Sequence, residues 1–293
     1  MSTSKDGGRF HRVFSLALTL LCGCYSAPSP QIVSTDATPA VQPAPLVRVS
    51  QPEALIPFAE EKRAFEAKTS TVEKLSRDWP HDPNALVNVA DDASQIALII
   101  SALGAAIYEG DLKQVQQYLL AGADMNAAVW YQSQGNQPVR TFPAHLAINA
   151  VYMKNASSDF LQVVLQLGAD ASALETSYGK DRAGAIYSSQ QTVLHHAVTS
   201  GQAALVEIVL KRHGVDPNHG AIADSGAQSP LFTAVIRGNS DVVKALLEGG
   251  ADPNSGLKRP DWTTVKTPLA MAREMQQRFA PAIGKLLEEH GAK

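Results

Sequence analysis

The chain has 293 residues, 45% hydrophobic and 18% charged, so it is long enough for a core and has the composition of a soluble globular protein. Its formal net charge of -3 shows no basic excess, which argues against a nucleic-acid partner. The two cysteines, Cys22 and Cys24, both lie near the N-terminus, so the rest of the sequence has no thiol for a disulfide, a cysteine-based zinc site or a redox pair.

The first residues have the layout of an export signal. Lys5, Arg9 and Arg12 precede a short apolar run, Val13 to Leu21, too short to cross a membrane as a finished helix, and Leu21-Cys22-Gly23-Cys24 follows at once. The tetrad resembles a bacterial lipoprotein signal, in which a small residue precedes the modified cysteine. Gly23 meets that requirement for Cys24, whereas Leu21 precedes Cys22. The resemblance implies cleavage after residue 23, a diacylglyceryl group on Cys24 and stable anchoring by two or three acyl chains. Tyr25 is not the aspartate that retains such proteins at the inner membrane, which implies the periplasmic face of the outer membrane. Loss of residues 1–23, with Lys5, Arg9, Arg12 and Asp6, leaves a mature charge of -5. The alternatives are an uncleaved signal anchor or a chance apolar run in a cytosolic protein.

Residues 24–57 form a Pro-, Ala-, Ser- and Thr-rich stretch with few charges, read as a polyproline II tether. At about 3.1 Å per residue it reaches up to roughly 90 Å from the bilayer. Residues 58–100 are read as a helical N-terminal cap region: Phe58, Phe65 and Val72 fall seven apart and Leu75 continues the stripe. Asp82-Pro83-Asn84 then repeats a tripeptide found twice further on, at Asp216 and Asp252. Val72 to Ala85 therefore reads either as the closing half of a degenerate capping repeat or as an unrelated helical extension.

From residue 101 a pattern recurs. The openings are Ser101 to Ala106 (SALGAA), Phe142 to Ala147 (FPAHLA), Thr192 to Ala197 (TVLHHA), Ser229 to Ala234 (SPLFTA) and Thr267 to Ala272 (TPLAMA). Each is followed by a second apolar helix and a closing glycine, at Gly122, Gly168, Gly214, Gly250 and Gly291. Two short amphipathic helices with a cap glycine form a hairpin that cannot bury its apolar face alone, so copies must stack. The units resemble ankyrin repeats, whose pattern is Thr-Pro-Leu-His-x-Ala, a Gly turn, Val-Val-x-x-Leu-Leu and Gly-Ala-Asp-x-Asn. The resemblance implies an all-α ankyrin-repeat solenoid of about five repeats over residues 101–293, with extended finger loops and a charged C-terminal cap ending in Glu288, Glu289 and Lys293. The second unit carries an insertion, Met153 to Ser158, at its hairpin turn.

The fingers depart from the family. From closing glycine to next opening residue, 122 to 144, 168 to 194, 214 to 231 and 250 to 269, the intervals are 22, 26, 17 and 19 residues, where a regular array needs about 14. Ala127 to Thr141 holds Trp130, Tyr131 and Arg140. Leu174 to Gln191 holds Tyr178, Lys180, Arg182 and Tyr187. Ser255 to Lys266 holds Lys258, Arg259 and Trp262. Trp, Tyr and Arg are the residue types enriched at interface hot spots, and the set reads as a partner-binding surface. Trp130 and Trp262 also admit the reading that each folds back over a helix end. The third finger, His219 to Gln228, is small and plain.

Chemistry beyond binding finds no support in the sequence. His145 and His195 occupy the motif histidine, where the resemblance implies an imidazole bonded to the backbone of a neighbouring loop. There is no His-Glu-x-x-His, phosphate-cradling Gly-rich loop, nucleophile elbow or calcium loop, and the carboxylates sit scattered in Gly-Ala-Asp turns. No catalytic residue, metal ligand or cofactor is expected. The expected function is protein binding at the bacterial envelope, as an inhibitor or immunity protein blocking a toxic effector in the periplasm. The alternatives are an envelope scaffold or an undetected hydrolase.

Overall fold

The repeat pattern becomes five helical hairpins because each opening motif carries its own helix-starting chemistry. The computed structural model describes residues 55–68, 73–74, 79–91, 96–133, 138–180, 186–223, 226–259, 262–275 and 282–293. The signal at 1–23, Cys24, the tether as far as residue 54, Val72, Leu75 and Arg182 lie outside the described residues. The chain divides into two units, residues 1–65 and 66–293. Helix α1 (Leu55–Lys68) begins within the stretch read as tether. No helix among the described residues is long and apolar enough to cross a membrane.

In the second unit the hairpins are α2 (Ala102–Tyr108) with α3 (Leu112–Leu120), α4 (Pro143–Met153) with α5 (Ser158–Gln166), and α6 (Val193–Ser200) with α7 (Ala203–Leu210). They continue as α8 (Pro230–Arg237) with α9 (Ser240–Glu248), and α10 (Pro268–Glu274) with α11 (Ala282–Glu289). Ser101, Thr192, Ser229 and Thr267 each cap the first helix, their hydroxyls accepting from the backbone N–H three residues on at 3.1, 3.1, 3.1 and 3.2 Å. Such a cap contributes about 1 kcal/mol. Pro143, Pro230 and Pro268 sit in the first turn, where a missing N–H costs nothing. The five closing glycines all hold φ between 85° and 103°, left-handed backbone that a side chain resists. At the insertion after α4, Asn155 takes the same role with φ 56°.

Successive hairpins stack first helix on first helix throughout and second on second from α5 to α11, around one continuous apolar core that includes Ile107, Leu146, Leu161, Leu194, Leu205, Leu231, Leu246 and Leu287. At the closing turns Asp124, Asp170, Asp216 and Asp252 each accept from the backbone N–H two residues on. The asparagine that follows reaches into the next repeat. Asn126 Oδ1 accepts from Asp170 N at 2.8 Å, Asn218 Oδ1 from Asp252 N at 2.7 Å, and Asn254 Oδ1 from Lys293 N at 2.9 Å. One rung differs: Ser172 stands where the other turns have Asn, and its hydroxyl donates back to Asp170 of its own turn at 2.7 Å. Ser172→Asn is therefore expected to complete the ladder and stabilise the protein by about 1 kcal/mol, raising Tm by roughly 2–4 °C in a thermal melt.

The all-α expectation is overturned. The fingers are not loops but β-hairpins, and they pair with one another. The strands are β1 (Glu73–Lys74), β2 (Leu86–Asp91), β3 (Ile96–Ser101), β4 (Val129–Ser133), β5 (Val139–Thr141), β6 (Leu174–Lys180), β7 (Ile186–Thr192), β8 (Ala221–Ala223), β9 (Gly226–Gln228) and β10 (Leu257–Lys258). They form one ten-stranded sheet in chain order, antiparallel from β2 to β10 and with β1 parallel at the edge. The physical reason lies in two spacings. Stacked helices lie about 8–10 Å apart and two strands occupy about 9.6 Å, so a two-stranded finger on every repeat meets its neighbour at hydrogen-bonding distance. The extra finger length supplies these strands.

The expected helical character of residues 58–100 holds only for the part in α1; residues 86–91 and 96–101 are strands. The Asp82-Pro83-Asn84 turn does reproduce the repeat turns. Asp82 Oδ1 accepts from Asn84 N at 2.8 Å, and Ala85 N donates to Asp82 O at 3.1 Å. Ala85 O and Pro83 O then accept from Ala102 N and Leu103 N, and Tyr118 Oη donates to Pro80 O at 2.8 Å, so this segment closes the first repeat.

Candidate protein-binding surface

Residues directly opposite on paired strands share a face of the sheet, and side chains alternate along each strand. One row crosses the sheet through Trp130, Arg140, Thr176, Gln190, Ile222, Ala227 and Lys258. Ile99, Gln132 and Tyr178 belong to the same face by register. These side chains are partly exposed, Ile222 at 39%. The other face carries Val87, Val89, Leu98, Ile100, Val129, Thr141, Glu175, Ser177, Ser189 and Ala221, all buried. It packs β2 and β3 against α2 and β7 against α6. In Val129-Trp130-Tyr131-Gln132 the inward positions are the apolar Val129 and Tyr131, but in Leu174-Glu175-Thr176-Ser177-Tyr178 they are Glu175 and Ser177, the reverse of what hydrophobic alternation predicts.

Of the residues expected to bind a partner, the structure brings Trp130, Arg140 and Tyr178 together on the outward face. Trp130 is directly opposite Arg140, whose guanidinium lies over the Phe142 ring at 5.6 Å. Burial raises the Tyr178 hydroxyl pKa, against the lowering influence of the Arg140 charge nearby. Lys258 stands at the far end of the same face, its ammonium donating to Trp262 O. Arg259 lies over the Trp262 ring at 5.4 Å, so the last finger packs partly on itself. Tyr131 falls on the other face. It packs against the core, and burial, reinforced by Glu175 and Tyr108, pushes its hydroxyl well up. Lys180 and Tyr187 lie in β6 and β7, opposite Ile186 and Gly179; their side chains are outside the described residues.

A polar cluster under the sheet escaped the sequence reading. Glu175 turns inward from β6, and its Oε1 accepts from His196 Nε2 of α6 at 3.0 Å, with the two side chains only 7% and 13% exposed. The His145 ring meets the His196 ring edge-on at 4.9 Å, and His145 Nε2 donates to Gln191 O at 3.2 Å, the backbone contact implied for the motif histidine. Burial alone raises the Glu175 carboxyl. The charge and hydrogen bond of His196, with His145 behind, outweigh it and hold the carboxyl at about 2. Burial pushes His145 down to about 4, and His195 down to about 3 with help from His196 and Arg237. The Glu175–His196 contact joins β6, in the longest finger, to α6 beneath it. No local signal marks it, because alternation of Leu174, Thr176 and Tyr178 with Glu175 and Ser177 would turn Glu175 outward.

Residues 144–256 match the family model described as Ankyrin repeats (3 copies). A stretch of 57 residues, 20% of the chain, is 40% identical to the transient receptor potential channel pyrexia of Drosophila melanogaster. It spans only 6% of that protein's length. The family is typically a non-catalytic, protein-binding one. Helical hairpins, capped openings and the family match converge on one statement: residues 144–256 carry ankyrin repeats, a protein-interaction module.

Proposed function

We propose that the chain is a non-enzymatic protein-binding lipoprotein of the bacterial envelope, anchored through Cys24, that occludes one protein partner with the outward face of its finger sheet. The observation that carries this reading is the pairing of all the described fingers into one sheet that sets Trp130, Arg140 and Tyr178 side by side. A hydrogen-bonded sheet presents such side chains with little ordering cost on binding, which is what a tight inhibitor needs. The role that fits is an inhibitor or immunity protein that neutralises a toxic effector reaching the periplasm.

The test is capture from envelope extract with the full chain and with the Trp130→Ala, Arg140→Ala, Tyr178→Ala triple variant. One stoichiometric partner is expected, with affinity at least about 100-fold weaker for the variant while its far-UV circular dichroism is unchanged. That partner should be toxic when exported alone and harmless when the chain is co-exported. Several substoichiometric envelope proteins recovered equally by both forms would instead indicate a scaffold. Incorporation of labelled palmitate that disappears in Cys24→Ser tests the anchor.

A further inference from the structure

The longest finger is tied more strongly within itself than to its neighbours in the sheet. Among the described residues β6 and β7 pair at seven positions, whereas β5 meets β6 at one and β7 meets β8 at two. What joins this finger to the helices below is the polar cluster. The Glu175 carboxylate of β6 is bonded by His196 Nε2 of α6 at 3.0 Å, and Gln191 O of β7 accepts from His145 Nε2 of α4 at 3.2 Å. With its proton on Nε2, the wholly buried His145 ring carries a bare lone pair on Nδ1, which has no hydrogen-bond partner. A second proton there puts an unbonded charged donor in the interior, edge-on to the His196 ring at 4.9 Å. Glu175, Gln191 O and Asp170 favour that charge, but burial and His196 outweigh them and lower the His145 pKa from 6.5 to about 4.

Other charged or titratable groups surround the cluster without bonding Nδ1. Arg140 of β5 lies over the Phe142 ring, and Tyr131 of β4 feels the charge of Glu175 and of Tyr108 on α2. Lys154, just past α4, pairs with Glu109, just past α2, and Arg237 of α8 acts on His195 of α6. Asp159 of α5 and Glu207 of α7 are exposed.

We propose that this cluster is a proton-operated latch, which holds the β6–β7 finger on α4 and α6 at neutral pH and releases that finger ahead of the rest of the fold when acid protonates His145. Lifting the finger breaks the bonds at Gln191 O and Glu175 Oε1 and admits water to the His145 ring, which then titrates near 6.5. Because the closed value is the lower one, closure is fully favoured above pH 6.5 and loses ground as the pH falls from 6.5 toward 4. Between pH 8 and pH 5 the opening equilibrium rises about 30-fold. Tyr178 is carried by β6, so the same opening withdraws it from Trp130 and Arg140. That last consequence rests on the reading of the outward face as the binding surface; the opening itself does not.

Amide hydrogen exchange on the full chain in detergent, at pH 8 and pH 5 and corrected for the intrinsic rate, tests the latch. Amides of β6 and β7 are expected to exchange through an opening more populated than that of the α9 core at both pH values and insensitive to low urea. That opening should be about 30-fold more populated at pH 5 than at pH 8. In His145→Gln, whose side-chain amide still has an N–H for Gln191 O but does not titrate, it should change less than about 3-fold. Strand amides that track α9 at both pH values exchange only by global unfolding and overturn the proposal. A local opening indifferent to pH in the wild type, or equally pH-dependent in His145→Gln, also overturns it. Should the variant fail to fold, the wild-type profile decides: level above about pH 7.5 and rising about 7-fold from pH 6 to pH 5 supports the latch, and any profile without that rise refutes it. Capture of a partner at pH 8 with the wild type tests the binding face separately, since finger opening is read from exchange alone.

Discussion

His196→Ala is expected to destabilise the protein by about 3–5 kcal/mol, the range for leaving a buried carboxylate without its partner. In the native protein the Glu175 carboxylate is almost wholly covered and its Oε1 is held at 3.0 Å by His196 Nε2. Removing the imidazole leaves a desolvated charge and a hole beside His145. The carboxyl must then either take up a proton or draw water under the sheet, and both cost free energy. Because Glu175 is in β6 and His196 in α6, the damage should concentrate in the longest finger. Urea denaturation measures the loss, and hydrogen exchange should show β6 and β7 losing protection ahead of the helices. The pair Glu175→Leu, His196→Leu supplies the control: replacing both members by apolar groups is expected to restore most of the stability. A loss below about 1 kcal/mol for His196→Ala would mean that the pair exchanges freely with water and does not hold the finger.

Acidification is expected to remove about 4 kcal/mol of stability between pH 8 and pH 5, equivalent to a fall in Tm of roughly 10 °C. His145 and His195 have native pKa values of about 4 and about 3, below the unperturbed 6.5, because burial favours the neutral ring. The unfolded chain therefore binds their protons first. Their contribution is complete above pH 6.5 and is lost as the pH falls through 6.5 toward the native values. Glu175, held at about 2 against an ordinary 4.5, adds a further loss that begins below pH 4.5. The groups facing this region are His196, Glu175, Asp170 and Gln191 O around His145, and His196 and Arg237 around His195. Thermal melts from pH 8 to pH 5 measure the slope. His145→Asn, His195→Asn should be less stable at pH 8 yet nearly flat with pH, and an unaltered slope in that variant would refute the assignment.

What the sequence made legible is whatever depends on contacts within one repeat. The Ser or Thr hydroxyl that caps each opening, the proline in the first turn, the left-handed glycine and the Asp turn act over two to four residues, so each is written locally and recurs with its unit. The Asn254 rung onto Lys293 falls at the position that Asp252 holds in the preceding turn. The binding set was only partly legible. Residue type placed Trp130, Tyr131 and Arg140 in one finger and Tyr178 in the next without saying which share a face; the structure sets Trp130, Arg140 and Tyr178 on the outward face, and Tyr131, one residue from Trp130, on the opposite one.

The same residue types in a loop have no faces; in a strand they do. Whether a finger is a loop or a strand was settled by its neighbour in the stack, because a two-stranded hairpin alone in water is at best marginal. Pairing between fingers, such as Arg140 opposite Thr176 or Gln190 opposite Ile222, joins residues 36 and 32 positions apart, beyond the reach of any local pattern. The sheet therefore arose from the match between helix spacing and strand spacing, and with it came the outward row and the buried Glu175–His196 pair. The sequence by itself determined the repeating hairpins, since their signals are local; the tertiary structure alone decided which side chains of the fingers face out, since that depends on hydrogen bonds between repeats.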